Sequence, residues 1–201
     1  NLWICTHSKG LEKVTFRSVQ FSMLTPEEHS YESLSNEVRA LCEDKHKNIW
    51  VGLKDGRLRV YDANHKYLGF LTETGTVYDI TQDSKGVLWI ATKGDGLVRA
   101  ESVAPNGLSY KLSRYRYDED DMYSLSNDNV YCVYEDHNGR IWVATFANGI
   151  NYISKDKAGN TIFVNHRNNL KGYPIDLCYK TRFITSDNNG HLWVGTTAGA
   201  V

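Results

Sequence analysis

The hydrophobic positions of this chain gather in short runs built on tryptophan, and the runs share one grammar. LWICT holds Trp3, IWVGL holds Trp50, LWIAT holds Trp89, IWVAT holds Trp142 and LWVGT holds Trp193. In every copy Leu or Ile precedes the Trp, Ile or Val follows it, and a small residue comes next: Cys5, Gly52, Ala91, Ala144 or Gly195. Read with a period of two, Trp50 and Gly52 share one face of an extended segment, while Ile49, Val51 and Leu53 share the other. Both faces are apolar, so each run is predicted to be a strand buried between layers above and below it. The small residue leaves room there for a bulky side chain from the adjacent layer.

The polar positions between the runs repeat as well. The sixth residue before the Trp is Asp44, Asp83, Asp136 or Asp187, and three of these continue as D-x-x-G with Gly86, Gly139 and Gly190. An Asp that bonds the backbone two residues on, followed by a Gly that accepts positive φ, suits a tight hairpin. A second glycine follows each Trp, at Gly10, Gly56, Gly96, Gly149 and Gly199, and closes a second hairpin. Each unit therefore reads as four strands; in the best-defined unit they are predicted at about 77–82, 87–92, 96–101 and 108–115. No segment shows a sustained helical period, and residues 26–34 have room for at most a turn or two after Pro26.

The tryptophans stand 47, 39, 53 and 51 residues apart, a spacing that points to a propeller or a solenoid. Four short strands per unit select the propeller. The expected fold is all-β: a single partial β-propeller over 1–201 with four-stranded antiparallel blades. Whole blades are expected at 36–72, 76–115 and 127–166, with incomplete ones at 1–24 and 176–201. A closed four-bladed ring, in which the last inner strand completes the first blade, is the alternative. Neither end reads as a natural terminus, and the chain is expected to be a piece of a longer polypeptide.

Composition narrows the chemistry. With 41% apolar residues the chain can bury a real core, and 23 basic against 24 acidic residues make no electrostatic case for nucleic acid or an anionic membrane. Cys5, Cys42, Cys132 and Cys178 lack C-x-x-C or C-x-x-H spacing, so no metal site is expected. His46 and His137 fall in hairpins and His191 just after one, and no hydrolase, Walker or dinucleotide motif is present. The acidic run Asp118, Glu119, Asp120 and Asp121 reads as a solvated loop. The recurring aspartates read as structural because they recur.

The strings SLSNEVRALCEDKHKNIWVGL, TVYDITQDSKGVLWIATKGDGL and SLSNDNVYCVYEDHNGRIWVATFANGI keep Asp, Trp and the small residue in register. This pattern resembles the two-component regulator propeller repeat. It departs from it at Lys47, which replaces the hairpin glycine, at Leu53, which replaces the Thr, and at Cys5 in the small slot. The resemblance is to the periplasmic sensor regions of hybrid two-component histidine kinases in gut Bacteroides and relatives, where two seven-bladed propellers precede a β-sandwich, a membrane helix and a kinase. It implies a segment that detects an oligosaccharide and controls glycan-utilisation genes, without enzymatic activity or a cofactor of its own. It implies a homodimeric parent and a membrane connection only through other domains. The alternatives are a protein-interaction scaffold and, third, a propeller lyase or hydrolase acting on polysaccharide.

In a propeller the turns between second and third strands emerge on the same face as the entries to the innermost strands. Those turns present His7, Lys54, Lys93, Phe146 and Thr197 at equivalent positions, and the innermost strands begin with Arg39, Tyr78, Tyr131 and Arg182 in register. Aromatic faces stack on sugar rings, and Arg, Lys and Asn bond hydroxyls or carboxylates. The candidate contacts are Arg39, Tyr78, Lys93, Tyr131, Phe146, Asn148 and Arg182, whose basic members favour an acidic oligosaccharide.

Overall fold

The computed structural model describes residues 36–73, 75–104 and 109–201, and two strands, Leu2–Thr6 and Gly10–Val14, by their backbone. These two, β1 and β2, form an antiparallel pair. The first four-stranded sheet is β3 (Val38–Glu43), β4 (Ile49–Leu53), β5 (Arg57–Tyr61) and β6 (Tyr67–Glu73); the second is β7 (Thr76–Gln82), β8 (Leu88–Lys93), β9 (Leu97–Ser102) and β10 (Tyr110–Tyr115). The third is β11 (Val130–Glu135), β12 (Ile141–Thr145), β13 (Ile150–Lys155) and β14 (Thr161–Val164); the fourth has three strands, β15 (Thr181–Ser186), β16 (Leu192–Thr196) and β17 (Gly199–Ala200). Every sheet is an antiparallel meander whose strands lie in chain order, and β3, β7, β11 and β15 pack side by side as the innermost strands. The molecule is an all-β partial propeller. In the second sheet the strands lie within two residues of their predicted positions.

A helix of four residues, α1 (Ile175–Cys178), enters the fourth sheet. It is shorter than two turns, so it leaves no periodic pattern from which to foresee it. The turn considered at 26–34, and the side chains of Trp3, Cys5 and His7, lie outside the described residues.

The core lies between the sheets. Trp50, Ala40, Leu58 and Val60 of the first sheet pack on Val77, Ile80, Leu88, Ile90 and Val98 of the second. Trp89, Ala91 and Leu97 then meet Val130, Val133, Ile141, Val143 and Phe163 of the third. Cys132, Trp142, Ala144 and Ile150 meet Ile184 and Val194 of the fourth. At each of these three seams the Trp face of one sheet thus looks to the following sheet, which presents its Ile/Val face. A Cβ on Gly52 would lie 2.5 Å from Val77 Cγ1, so the slot after the Trp is small because the next innermost strand fills it.

A buried indole N–H needs an acceptor, and the repeated aspartate supplies it. Asp44, Asp83, Asp136 and Asp187 accept from Nε1 of Trp50, Trp89, Trp142 and Trp193 at 2.9, 2.9, 2.8 and 3.2 Å through Oδ2. Through Oδ1 the same carboxylates accept two backbone N–H groups of their own hairpins, as Asp83 does from Lys85 at 3.0 Å and Val87 at 2.8 Å. Six residues is the separation at which one carboxylate can staple the turn and hold the Trp. The hairpins at Asp62 and Asp156 use the same staple without a Trp. The third turn position is left-handed in each, with φ of 82° at Gly86 and 66° at Lys47.

Adjacent sheets are also tied at their polar ends. The last residue of an innermost strand reaches the turn of the preceding sheet: the Lys45 N–H donates to Gln82 Oε1, Ser84 donates to Glu135, and Ser186 Oγ is hydrogen-bonded to His137 Nε2. Midway along β7, Asp79 Oδ2 accepts the Val133 N–H at 2.8 Å and the Thr81 hydroxyl donates to Val133 O at 3.0 Å. Burial raises the Asp79 carboxyl above the usual range, more than the Val133 and Ile80 N–H groups and the Cys132 thiol lower it.

Four substitutions test these contacts by stability. Asp83→Ala should cost about 3 kcal/mol in denaturant unfolding, because it strands the indole of Trp89, only 4% exposed. Asp187→Ala should cost roughly a third of that, since Trp193 is 49% exposed and water can replace the carboxylate; equal losses would show that burial does not set the value of the bond. Lys47→Gly should stabilise by about 0.5–1 kcal/mol by relieving a left-handed non-glycine residue, and a lowered melting temperature would refute the strain. For Asp79 the raised folded pKa means that its contribution declines as pH rises from the unfolded value, about 4, through the folded one. The urea midpoint of Asp79→Asn should therefore fall less over that window than that of the unsubstituted chain; parallel profiles would show that this carboxyl is not desolvated.

Candidate functional site

The entry end of the innermost strands carries a repeated irregularity. Pairing with the neighbouring strand skips one residue in each: between Val38 and Ala40, Val77 and Asp79, Val130 and Cys132, and Thr181 and Phe183. The skipped residues are Arg39, Tyr78, Tyr131 and Arg182. A bulge re-aims the side chain of its extra residue, so all four innermost-strand candidates sit on the same device. Their backbone does not pair, and their side chains need not alternate with those of the strand.

Three of them come together. The Tyr78 and Tyr131 rings stack with centroids 4.4 Å apart and planes at 14°, and Tyr131 stacks on Phe146 at 5.3 Å and 26°. The Arg182 guanidinium lies over both Tyr131 and Phe146, 4.8 Å from each centroid. Phe146 is placed by its N–H, which donates to Asn129 O at 2.8 Å, while Lys93 forms a backbone bridge to the same Asn129. The second, third and fourth sheets thus each contribute to one aromatic pile with a cation across it. Burial raises the Tyr131 phenol above its ordinary pKa, with the neighbouring Tyr78 adding to the shift and Arg182 opposing it. Tyr131 is therefore a neutral hydroxyl, a donor and acceptor rather than a base.

The remaining candidates stand apart from the pile. Arg39 and Lys54 both pair with Glu37, which lowers that carboxyl, chiefly through the Lys54 hydrogen bond. Asn148 takes a left-handed conformation, φ 71°, and its amide donates to Ser126 O at 2.8 Å, so it shapes the turn that carries Phe146. Lys93 is exposed beside its bridge to Asn129.

Two residues escaped the sequence reading. Lys180 Nζ lies 5.5 Å from the Phe146 centroid and 5.3 Å from that of Tyr179, which extends the pile beyond Phe146. Both immediately precede β15, in register with Asp128 and Asn129 before β11, and their carbonyls accept the Gly149 N–H at 2.8 Å and the Thr197 N–H at 3.1 Å. The available signal was that register, but the irregular segment before β15 obscured it. The repeated Thr also gains a role: Thr92, Thr145 and Thr196 hydroxyls donate to Gly96, Gly149 and Gly199 carbonyls at 2.7, 2.8 and 2.8 Å and close the turns of this face.

A cleft of about 220 Å³ lies at the opposite end of the seam between the second and third sheets, beside Asp83, Lys85, Trp89, Arg99, Glu135 and Lys155. Its polar groups are largely engaged: Asp83 by Trp89, Glu135 by Ser84, Arg99 by Glu101 and Lys155 by Thr161. The cleft is the splay between two sheets, and the aromatic face is the better candidate.

Among the described residues no cluster of His, Cys, Asp and Glu has the arrangement of a metal site, and no helix is long and apolar enough to cross a membrane. No curated protein sequence matches the chain. The family model of the two-component regulator propeller matches residues 32–55, 73–94 and 124–147. Among solved structures, the extracellular domain of a hybrid two-component system from B. thetaiotaomicron aligns at TM-score 0.61 and 22% identity over 98% of this chain and 25% of its own. A second such domain from the same organism aligns at TM-score 0.58 and 24% identity over 82% and 22%. Virginiamycin B lyase from Staphylococcus aureus aligns at TM-score 0.52 and 19% identity over 82% and 54%. The chain spans about a quarter of the length of the two-component domains it matches. Within these sheets, pinned by one Asp and one Trp and stacked in chain order, residues 32–55, 73–94 and 124–147 are two-component regulator propeller repeats.

Proposed function

We propose that the chain is part of the extracytoplasmic, periplasmic sensor region of a hybrid two-component histidine kinase, and that it binds an oligosaccharide whose detection controls glycan-utilisation genes. The observation that carries the reading is the pile of Tyr78, Tyr131 and Phe146 with Arg182 across it. The half-buried rim of the stacked rings offers apolar area to a sugar, and the Tyr hydroxyls and the guanidinium offer hydrogen bonds beside it. The repeat family and the two B. thetaiotaomicron domains support the sensor assignment. On this reading the parent is a homodimer, and the phosphoryl chemistry belongs to its other domains.

The lyase likeness supports the fold rather than an activity. Arg39, Lys93 and Asn148 take supporting positions: Arg39 and Lys93 at the edge of the same face, Asn148 beneath the Phe146 turn.

The test is calorimetric titration of the complete extracytoplasmic region with a panel of neutral and acidic oligosaccharides, before and after the double substitution Tyr131→Ala and Arg182→Ala. Loss of binding with an unchanged melting temperature is the expected result. Unchanged binding would make these sheets scaffold and place the ligand elsewhere in the parent.

A further inference from the structure

The charges on the aromatic face are not balanced. Glu37 is taken by Arg39 and Lys54, Asp55 by Arg57, and Asp95 by Arg114 and Arg116. Asp128 accepts the Tyr117 N–H and turns its backbone carbonyl to Gly94 and Gly96. Arg182, Lys180 and Lys93 have no carboxylate partner among the described residues; two of them lie against the rings and the third adjoins Asn129. The chain as a whole is almost neutral in sum, with 23 basic and 24 acidic residues. Three cations left without counter-charges on one face are therefore a local feature and not a by-product of composition.

The rings and two of the cations adjoin one another in series. Tyr78, Tyr131 and Phe146 follow one another at 4.4 and 5.3 Å, and Lys180 links Phe146 to Tyr179, 5.5 and 5.3 Å from the two rings. Rings and cations together reach from β7, across β11, to the entry of β15. A single small molecule covers one ring and one cation; a strip of this length suits a chain.

We propose that this strip binds an anionic glycan chain of several residues, carboxylated or sulfated, laid along the rim of the stacked rings with its acid groups on Lys93, Lys180 and Arg182. The inference rests on the oligosaccharide reading above and specifies the ligand class for that same face. A carboxylate or sulfate gains a charge-assisted bond from each cation, and neutralising an otherwise unpaired charge removes the desolvation that a neutral sugar would impose on it. Arg182 already lies across two rings, so a planar acid group can meet its edge without moving it.

The experiment titrates the complete extracytoplasmic polypeptide with tetragalacturonate and a chondroitin sulfate tetrasaccharide, and with cellotetraose and maltotetraose as neutral counterparts. It is then repeated on the triple variant Lys93→Gln, Lys180→Gln, Arg182→Gln after its melting temperature has been matched to the parent. The expected result is binding of at least one anionic tetrasaccharide, weakened by added salt and lowered roughly tenfold or more in the variant, with neutral sugars bound weakly or not at all in both. Neutral sugars bound as tightly as the anionic ones would overturn the anionic assignment and leave the oligosaccharide reading standing. Anionic binding unchanged in the variant would overturn the placement on this strip. Binding of none of the four would count against the oligosaccharide reading itself and remove the basis of this inference with it.

Discussion

A tryptophan buried in a sheet that is apolar on both sides carries one N–H that nothing in the apolar layer can satisfy, and the fold is organised around that group. The aspartate six residues earlier takes the N–H on one carboxylate oxygen and two hairpin N–H groups on the other, as Asp83 does with Trp89, Lys85 and Val87. One side chain thus sets the hairpin, the register of the two inner strands and the orientation of the largest core residue. Loosening it frees all three, because a buried donor without an acceptor costs more than the bond itself contributes. With the Trp fixed, the position two residues later has no freedom of size: the next innermost strand lies against it, as Val77 does against Gly52.

The same constraint produces the functional face. The innermost strands are held rigidly by the sheets at one end and by the hairpin ties at the other, and each relieves its pairing at a bulge near its entry. The bulge is constant while its residue varies: Arg39, Tyr78, Tyr131 and Arg182 occupy equivalent places. A rigid repeated scaffold that displays a different side chain from each unit can present a composite surface without any unit being specialised on its own. The Thr hydroxyls closing the neighbouring turns, and Asn148 bonded to Ser126, steady the loops beside it.

Most of the architecture was legible because repeats leave copies. The strands 77–82 and 87–92 could be placed to within a residue because alternation, hairpin glycine and Asp agreed, and the inward face of Trp50 and Gly52 followed from period two. The short helix Ile175–Cys178 could not be read, since four residues show no period and, among the described residues, no other innermost strand is preceded by a helix. Lys180 and Tyr179 were missed for the same reason. The candidate face was read in part: register showed which residues are equivalent, yet it gave Arg39, which pairs with Glu37, the same standing as Tyr131, which lies at the centre of the pile.

The sequence by itself determined the repeating unit, its antiparallel meander, its structural aspartates and its family resemblance, because these depend on contacts between residues close in the chain. Only the tertiary structure decided which side chains meet across units, that Tyr78, Tyr131 and Phe146 stack beneath Arg182, and that Lys93, Lys180 and Arg182 share a face without carboxylate partners. Those contacts join residues up to about fifty positions apart, and their geometry is set by how one sheet stacks on the next, a rotation that no local pattern encodes.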